Sequence, residues 1–213
     1  MLIVGAKGFA KEVLEIFVGN NATKNLAFYD DISEGMKDQL FDKYPILKSK
    51  DEVQLHFNNY GNDFTIGIGN PLLRKQLIEK IENYGGNLVS TISSKSTIGS
   101  YDVKIGEGCN ILDFAAISNS VTIGKAALIY YHSVITHDCQ IGDYVEISPS
   151  AVILGRVIIG NFTTIGANAT ILPGIKIGNN VTIGAGAVVR QNIPDNCVAV
   201  GVPAKVIKIK ENE

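Results

Sequence analysis

His137 and Asp138 stand side by side in ITHDCQIGDYVEISPS, residues 135–150. An imidazole next to a carboxylate is a base whose ring the neighbour can orient and whose basicity it can raise. Eighteen residues further on lies Gly155, which has no side chain to screen its backbone N–H. If the two meet, the imidazole can take a proton from an attacking nucleophile while the amide holds a carbonyl oxygen that is gaining charge. Those are the minimal parts for acyl transfer. The bland alternative stays open from spacing alone: a histidine at a corner is usually a solvated polar residue, and aspartate is ordinary turn chemistry.

Whether His137 and Gly155 meet depends on the elements that carry them. Isoleucine recurs every six residues from Ile105 to Ile183, and Val189 continues the series. Four residues after each stands a small or β-branched residue, such as Cys109, Ala115, Ser133, Cys139 or Ala151. Period six matches neither 3.6 nor 3.5, so these are not helices. A fixed hexapeptide repeat is the pattern of a parallel β-helix. Ile-Gly returns at 105, 123, 141, 159 and 177, so three hexapeptides make one coil and the cross-section is a triangular prism. Each buried Ile or Val contributes roughly 1.5–3 kcal/mol before chain entropy is subtracted. The second inward position is small because three faces converge on a narrow interior, and Cys109 and Cys139 read as core packing there. Glycine after isoleucine predicts a corner with positive φ. Ile92 and Ile98 start the coil earlier, and the seven-residue step to Ile105 predicts a residue looped out near Ser100-Tyr101-Asp102. Neighbouring coils lie about 4.8 Å apart. The column through the histidine therefore reads Asn119, His137, Gly155, Pro173, Gln191, with imidazole and glycine one coil apart.

The first 85 residues follow another rule. Strand LIVG, helix FAKEVLEIF, strand LAFY, a polar stretch, a short helix near 50–57 and strand FTIGIG alternate. Asn70 then caps a helix that opens on Pro71 and runs to a glycine stop. This order predicts a small parallel sheet with helices packed on it. GAKGFA (5–10) follows a strand and opens a helix, where backbone amides favour phosphate. It is not the full G-x-G-x-x-G. Asp30 and Asp31, at the end of the next strand, stand where a carboxylate reaches a ribose, although a plain turn explains them equally well. His56 is expected on an exposed helix face, and His132 on a cleft or the open surface.

The bulk properties exclude several classes. The chain has 213 residues and a formal charge of −2, so electrostatics gives no reason to expect nucleic acid or an anionic membrane. No apolar run approaches the ~20 residues of a bilayer span, and no signal peptide is apparent, which predicts a cytoplasmic protein. Three widely spaced cysteines without C-x-x-C fit reduced thiols.

Taken together, GAKGFAKEVLE, the Tyr29-Asp30-Asp31 strand end, Ile68-Gly69-Asn70 with Arg74, the array with THDCQIGDYVEISPSA, and the terminal VGVPAK resemble the bacterial sugar O/N-acyltransferases. The likeness is nearest to the UDP-4-amino-sugar N-acetyltransferases, with sialic-acid O-acetyltransferases and GDP-perosamine N-acetyltransferases as sister groups. It implies an α/β, Rossmann-like domain over 1–85, followed by a left-handed parallel β-helix over 86–213. It also implies acetyl-CoA as co-substrate, a nucleotide-linked amino sugar as acceptor, and a homotrimer with active sites between subunits. By the same resemblance His137 is the general base, Asp138 its acidic neighbour and Gly155 the glycine whose N–H meets the thioester oxygen. Ala167 and Ala185 correspond to backbone contacts with the pantetheine, and Lys205 to a contact with the CoA phosphates. Gly5, Lys7, Gly8 and Phe9, with Asp30, Asp31, Gly69 and Asn70, correspond to the nucleotide-sugar side. Glu146 stands where relatives have a second histidine that touches acetyl-CoA, and Phe9 where some have histidine. The expected activity is N-acetylation of the sugar amine, with O-acetylation of sialic acid or another sugar hydroxyl as the alternative. A zinc enzyme of the carbonic-anhydrase type needs three histidine ligands, and the array holds only His132 and His137, so no metal is expected. An inert solenoid scaffold is the remaining alternative.

Overall fold

The computed structural model describes residues 1–210. The chain forms two compact units, Met1–Ser94 and a second that begins at Lys95. Among the described residues no helix is long and apolar enough to cross a membrane.

The first unit contains, in order, β1 (Leu2–Val4), α1 (Gly8–Gly19), β2 (Ala27–Tyr29), β3 (Gln39–Leu40) and β4 (Tyr44–Leu47). Helix α2 (Lys50–Tyr60), β5 (Asp63–Ile66), α3 (Pro71–Glu82) and β6 (Asn87–Leu88) complete it. The sheet order is β3-β4-β2-β1-β5-β6, parallel throughout except for the β3–β4 pair. Helix α1 turns Ala10, Val13, Leu14, Ile16 and Phe17 inward, and Ala10, Val13, Leu14 and Phe17 pack with Ile3, Phe28, Tyr44 and Ile46. Asn70 caps α3 by accepting from the Leu73 N–H, with Pro71 at the first turn. The stretch after Asp31, expected to be a polar connection, contains the β3–β4 hairpin. The FTIGIG strand ends at Ile66, and Gly67 follows pressed against α1, where an added Cβ would lie 2.6 Å from that of Ala10.

His56 is a correction. Instead of facing solvent it is 7% exposed, on the inward stripe that Val53, His56 and Phe57 form at i, i+3 and i+4. Its ring lies 5.1 Å from that of Tyr60, and burial, followed by the charge of the amino terminus, pushes its pKa down.

The second unit is a left-handed parallel β-helix. One face stacks Asn110–Ile111, Leu128–Ile129, Glu146–Ile147, Thr164–Ile165 and Thr182–Ile183. A second stacks Ala116–Ile117, Val134–Ile135, Val152–Ile153, Thr170–Ile171 and Val188–Val189. The third stacks Lys104–Ile105, Thr122–Ile123, Gln140–Ile141, Ile158–Ile159 and Lys176–Ile177. Every isoleucine of the six-residue series from Ile111 to Ile183, and Val189, is at most 3% exposed. Cys109, Cys139 and the other small residues of the second column are buried beside them, and all three cysteines are free thiols. Polar members are satisfied locally: Ser133 Oγ donates to the Tyr130 carbonyl and Thr163 Oγ1 to that of Gly178. The extra residue before Ile105 falls just ahead of Tyr101, because the Ser120 N–H already meets the Tyr101 carbonyl in the regular corner pattern.

The corners correct a second expectation. Gly106, Gly124, Gly142, Gly160 and Gly178 do not adopt positive φ. The left-handed residue comes two positions later and is seldom glycine: Ser120, Ala126, His132, Asp138, Tyr144, Ser150, Arg156 and Phe162 all have φ between 53° and 63°. Glycine follows isoleucine for want of space. A Cβ at Gly124 would stand 2.3 Å from Asp143 Oδ1, and one at Gly142 would stand 2.4 Å from Asn161 Oδ1. The coil stack ends in an antiparallel hairpin, Cys197–Val200 with Lys205–Ile209.

Candidate active site

The corner between the second and third faces carries His137 and Asp138 in consecutive turn positions. Asp138 takes the left-handed conformation (φ 61°) that every coil uses there, and its N–H donates to the Asn119 carbonyl one coil back. This conformation brings its carboxylate alongside the ring, with Nδ1 and Oδ2 2.7 Å apart. A carboxylate can only accept, so Nδ1 carries the hydrogen, and in the neutral ring Nε2 then keeps its lone pair. Both side chains are about half exposed, at 55% and 52%, so the pair is open to a ligand.

One coil on, the imidazole lies directly against Gly155. A Cβ there would come within 2.6 Å of His137 Cε1 and 2.7 Å of Nε2. Glycine is thus required by the ring it carries. Gly155 is buried, its carbonyl accepts from the Gly174 N–H, and its own N–H donates to no group among the described residues. Buried amides are nearly always paired, so this one has a donor to spare.

The reason is visible at the corner between the third and first faces. There four successive N–H groups are capped by the Asx side chain of the next coil: Lys125 by Asp143, Asp143 by Asn161, Asn161 by Asn179 and Asn179 by Asp195, each at 2.8 Å. In the histidine column the residue that would cap Gly155 is Pro173, whose side chain has no acceptor. Pro173 is a residue that sequence reasoning passed over. The signal was present in the contrast between the two columns.

The remaining corner, between the first and second faces, carries Ala167 and Ala185 one coil apart, and neither N–H donates a hydrogen bond among the described residues. Glu146 lies on the outer side of the first face and accepts from Ser148 Oγ at 3.1 Å. Lys205 opens the exposed last strand. Within one chain, then, His137, Asp138 and Gly155 come together, while Ala167 and Ala185 occupy the other edge of the second face.

In the first unit, Gly5 has φ 105° and Gly8 opens α1 with nothing within 4 Å of an added Cβ. Lys7 and Gly8 line a cavity of about 480 Å³. The other expected residues do not line it. Phe9 packs against the core beneath α1. Asp30 is occupied by its own loop, accepting from the Ser33 N–H and hydroxyl at 3.0 and 2.9 Å. Asp31 bonds Lys80 Nζ at 2.5 Å. Burial opposes the charge on both, but their mutual bond, the bond each makes with Tyr29 and the attraction between the charges together outweigh it, holding Asp31 below and Lys80 above their ordinary values. The Gly69 carbonyl accepts from buried Arg74, and Asn70 is used as the cap of α3.

His132 is exposed and stacks on Phe114, ring centres 5.1 Å apart. Cys139 lies under the histidine corner, its Sγ directed at the carbonyls of Leu154 and His137, and burial above all pushes its thiol pKa up. That makes it a packing residue, not a nucleophile. Among the described residues no cluster of three or more His, Cys, Asp or Glu side chains could hold a metal ion.

Comparison with known proteins agrees with this division. Residues 1–81 match the PglD N-terminal domain, and residues 120–155 and 156–191 match the bacterial transferase hexapeptide (six repeats). No curated protein matches the chain. Among solved structures, WeeI from Acinetobacter baumannii AYE is 30% identical, with a TM-score of 0.86 over 97% of this chain and 98% of that one. A single-residue mutant of perosamine N-acetyltransferase from Caulobacter crescentus, in complex with CoA and GDP-perosamine, is 28% identical, with a TM-score of 0.89 over 97% and 96%. The acetyltransferase domain of PglB from Neisseria gonorrhoeae FA1090, in complex with acetyl coenzyme A, is 28% identical, with a TM-score of 0.84 over 97% and 98%. On this full-length likeness, and with both of its units matched, the chain belongs to the bacterial hexapeptide-repeat sugar O/N-acyltransferases.

Proposed function

We propose that the chain transfers the acetyl group of acetyl-CoA to the amine of a nucleotide-linked amino sugar, the UDP-4-amino-sugar class being the expected acceptor. The observation that carries this reading is the seat of His137 on Gly155, with a lone pair at Nε2 and an unpaired N–H one coil away. His137 Nε2 takes the proton from the amine as its nitrogen bonds to the acetyl carbon. The Gly155 N–H meets the carbonyl oxygen as that oxygen gains charge. Asp138 holds the ring and balances the imidazolium, which then returns the proton to the departing CoA thiolate.

The unpaired N–H groups of Ala167 and Ala185 fit the amide carbonyls of a pantetheine arm, and Lys205 supplies a cation for the CoA phosphates. The working form is a homotrimer. Support comes from the second face, whose outward residues Val134, Val152, Val188, Leu154 and Leu172 are apolar and half-buried, and which is bounded by the two corners the chemistry needs. Packing such faces together is the way for corners of different copies to meet. Three free, buried cysteines fit a reducing, cytoplasmic setting.

A thiol-release assay with acetyl-CoA and a panel of UDP- and GDP-linked 4-amino sugars and sialic acids tests the reading. Turnover is expected with a nucleotide-linked amine, and turnover confined to sialic acid would replace N- by O-acetylation. His137→Ala should lower kcat about 10²–10⁴-fold while calorimetry shows acetyl-CoA still bound; near-parental turnover rejects the histidine as base.

A further inference from the structure

His56 is a buried histidine that the acyl-transfer chemistry does not use, and its Nε2 has no hydrogen-bond partner among the described residues. The Met1 carbonyl, which also takes the Ala27 N–H, accepts from the other ring nitrogen. Nδ1 therefore carries the hydrogen, and burial keeps the ring neutral at neutral pH. What Nε2 lacks is a donor. Buried polar atoms are nearly always satisfied, so the donor has to come from outside the chain.

The ring lines a cavity of about 290 Å³ together with Thr23, Asn25, Lys43, Tyr44 and Tyr60. This cavity lies where β2 and β4 begin: Phe28 pairs with Ile46, so Leu26 in the lining stands level with Tyr44. Lys7 and Gly8 follow the opposite end of the parallel strand β1, and their cavity shares no residue with this one. Lys43 is the one cation in the lining, and there is no carboxylate. Its Nζ sits 4.9 Å from the centre of the Tyr44 ring and is in no ion pair among the described residues. A compact ammonium without a carboxylate beside it selects an anion. The same charge disfavours a second ammonium as the donor to Nε2, which leaves a neutral donor, a hydroxyl. The Tyr60 ring, 5.1 Å from that of His56, and the buried Tyr44 ring wall the space between the two groups. We infer that this cavity is a second small-molecule site, apart from those of acceptor and acetyl-CoA, and that it binds a compact hydroxylated anion, with the anionic group on Lys43 Nζ and a hydroxyl donating to His56 Nε2. A hydroxy acid and a hydroxylated phosphate monoester share this chemistry.

The test is a ring-nitrogen NMR titration of the full chain at pH 7.5 with glycerate, glycerol 3-phosphate, propionate and glycerol, with the His56 signal identified by its loss in His56→Gln. Glycerate or glycerol 3-phosphate is expected to shift Nε2 saturably, and the tighter of the two names the anion as carboxylate or phosphate. Propionate, which lacks the hydroxyl, and glycerol, which lacks the charge, should each bind roughly tenfold more weakly. Lys43→Gln, a change at an exposed position, should weaken the hydroxylated anion roughly tenfold and leave glycerol as in the parent. Propionate binding as tightly as glycerate overturns the hydroxyl contact, and parental anion affinity in Lys43→Gln overturns the anion contact. No saturable shift of His56 with any of the four probes overturns the site and leaves Nε2 to a water molecule.

Discussion

Two corners of the same prism do opposite things with the same backbone. At Lys125, Asp143, Asn161 and Asn179 the outward N–H is closed off by the next coil's side chain. At His137 and Gly155 the sequence supplies glycine and then proline, so nothing closes Gly155 and a ring lies over it instead. The coil geometry is repetitive enough that each corner serves as the other's control. The difference shows how a solenoid makes a reactive position: it leaves amides open at one corner and keeps a ladder of caps at another.

The sharpest way to break this comparison is to convert one corner into the other. Pro173→Asn places an acceptor where Asn161 and Asn179 have theirs, and should occupy the Gly155 N–H. Turnover is expected to fall on the order of 10²-fold, as for loss of one oxyanion donor, with no loss of thermal stability. Unchanged kcat would mean that the amide has no part in the reaction. The reverse conversion is smaller. Asn161→Ala leaves the Asp143 N–H uncapped and should cost about 1 kcal/mol, read as a fall in Tm of roughly 2–4 °C with kcat unaltered.

The smallest effect keeps pH profiles of the two corners interpretable. Burial holds the pKa of His56 below its ordinary value of 6.5, so the unfolded chain binds a proton there before the folded one does. Stability is therefore full above pH 6.5 and declines as pH falls from 6.5 toward the depressed folded value. His56→Leu should remove that part of the slope in Tm against pH; an identical slope would exclude His56 as its source. Rate profiles measured below neutrality need this correction before they report on His137.

Much of this was legible in the sequence because period six is a long-range rule: it fixed which residues face inward and which lie one coil apart, and so brought His137 to Gly155. Local geometry was not legible. Glycine after isoleucine pointed to a torsion angle, whereas the constraint is the Asx oxygen of the neighbouring coil, which no single hexapeptide reveals. His56 was misplaced because a short helix with few apolar residues gives a weak stripe. Asp30 and Asp31 show the same limit, since nothing in their spacing tells that Ser33 and Lys80 engage them. The β3–β4 hairpin, with Phe41 at its tip, hid in a stretch whose polarity masked its strands.

The Asx ladder has a polarity. Each rung's amide is closed by the rung that follows it in sequence, never by the one before. Removing the last coil would expose the amide of Asn179, and the next loss that of Asn161, so fraying should advance from the carboxyl end like a zip opened from one side. The closing hairpin at Cys197–Val200 and Lys205–Ile209 is the latch on that zip.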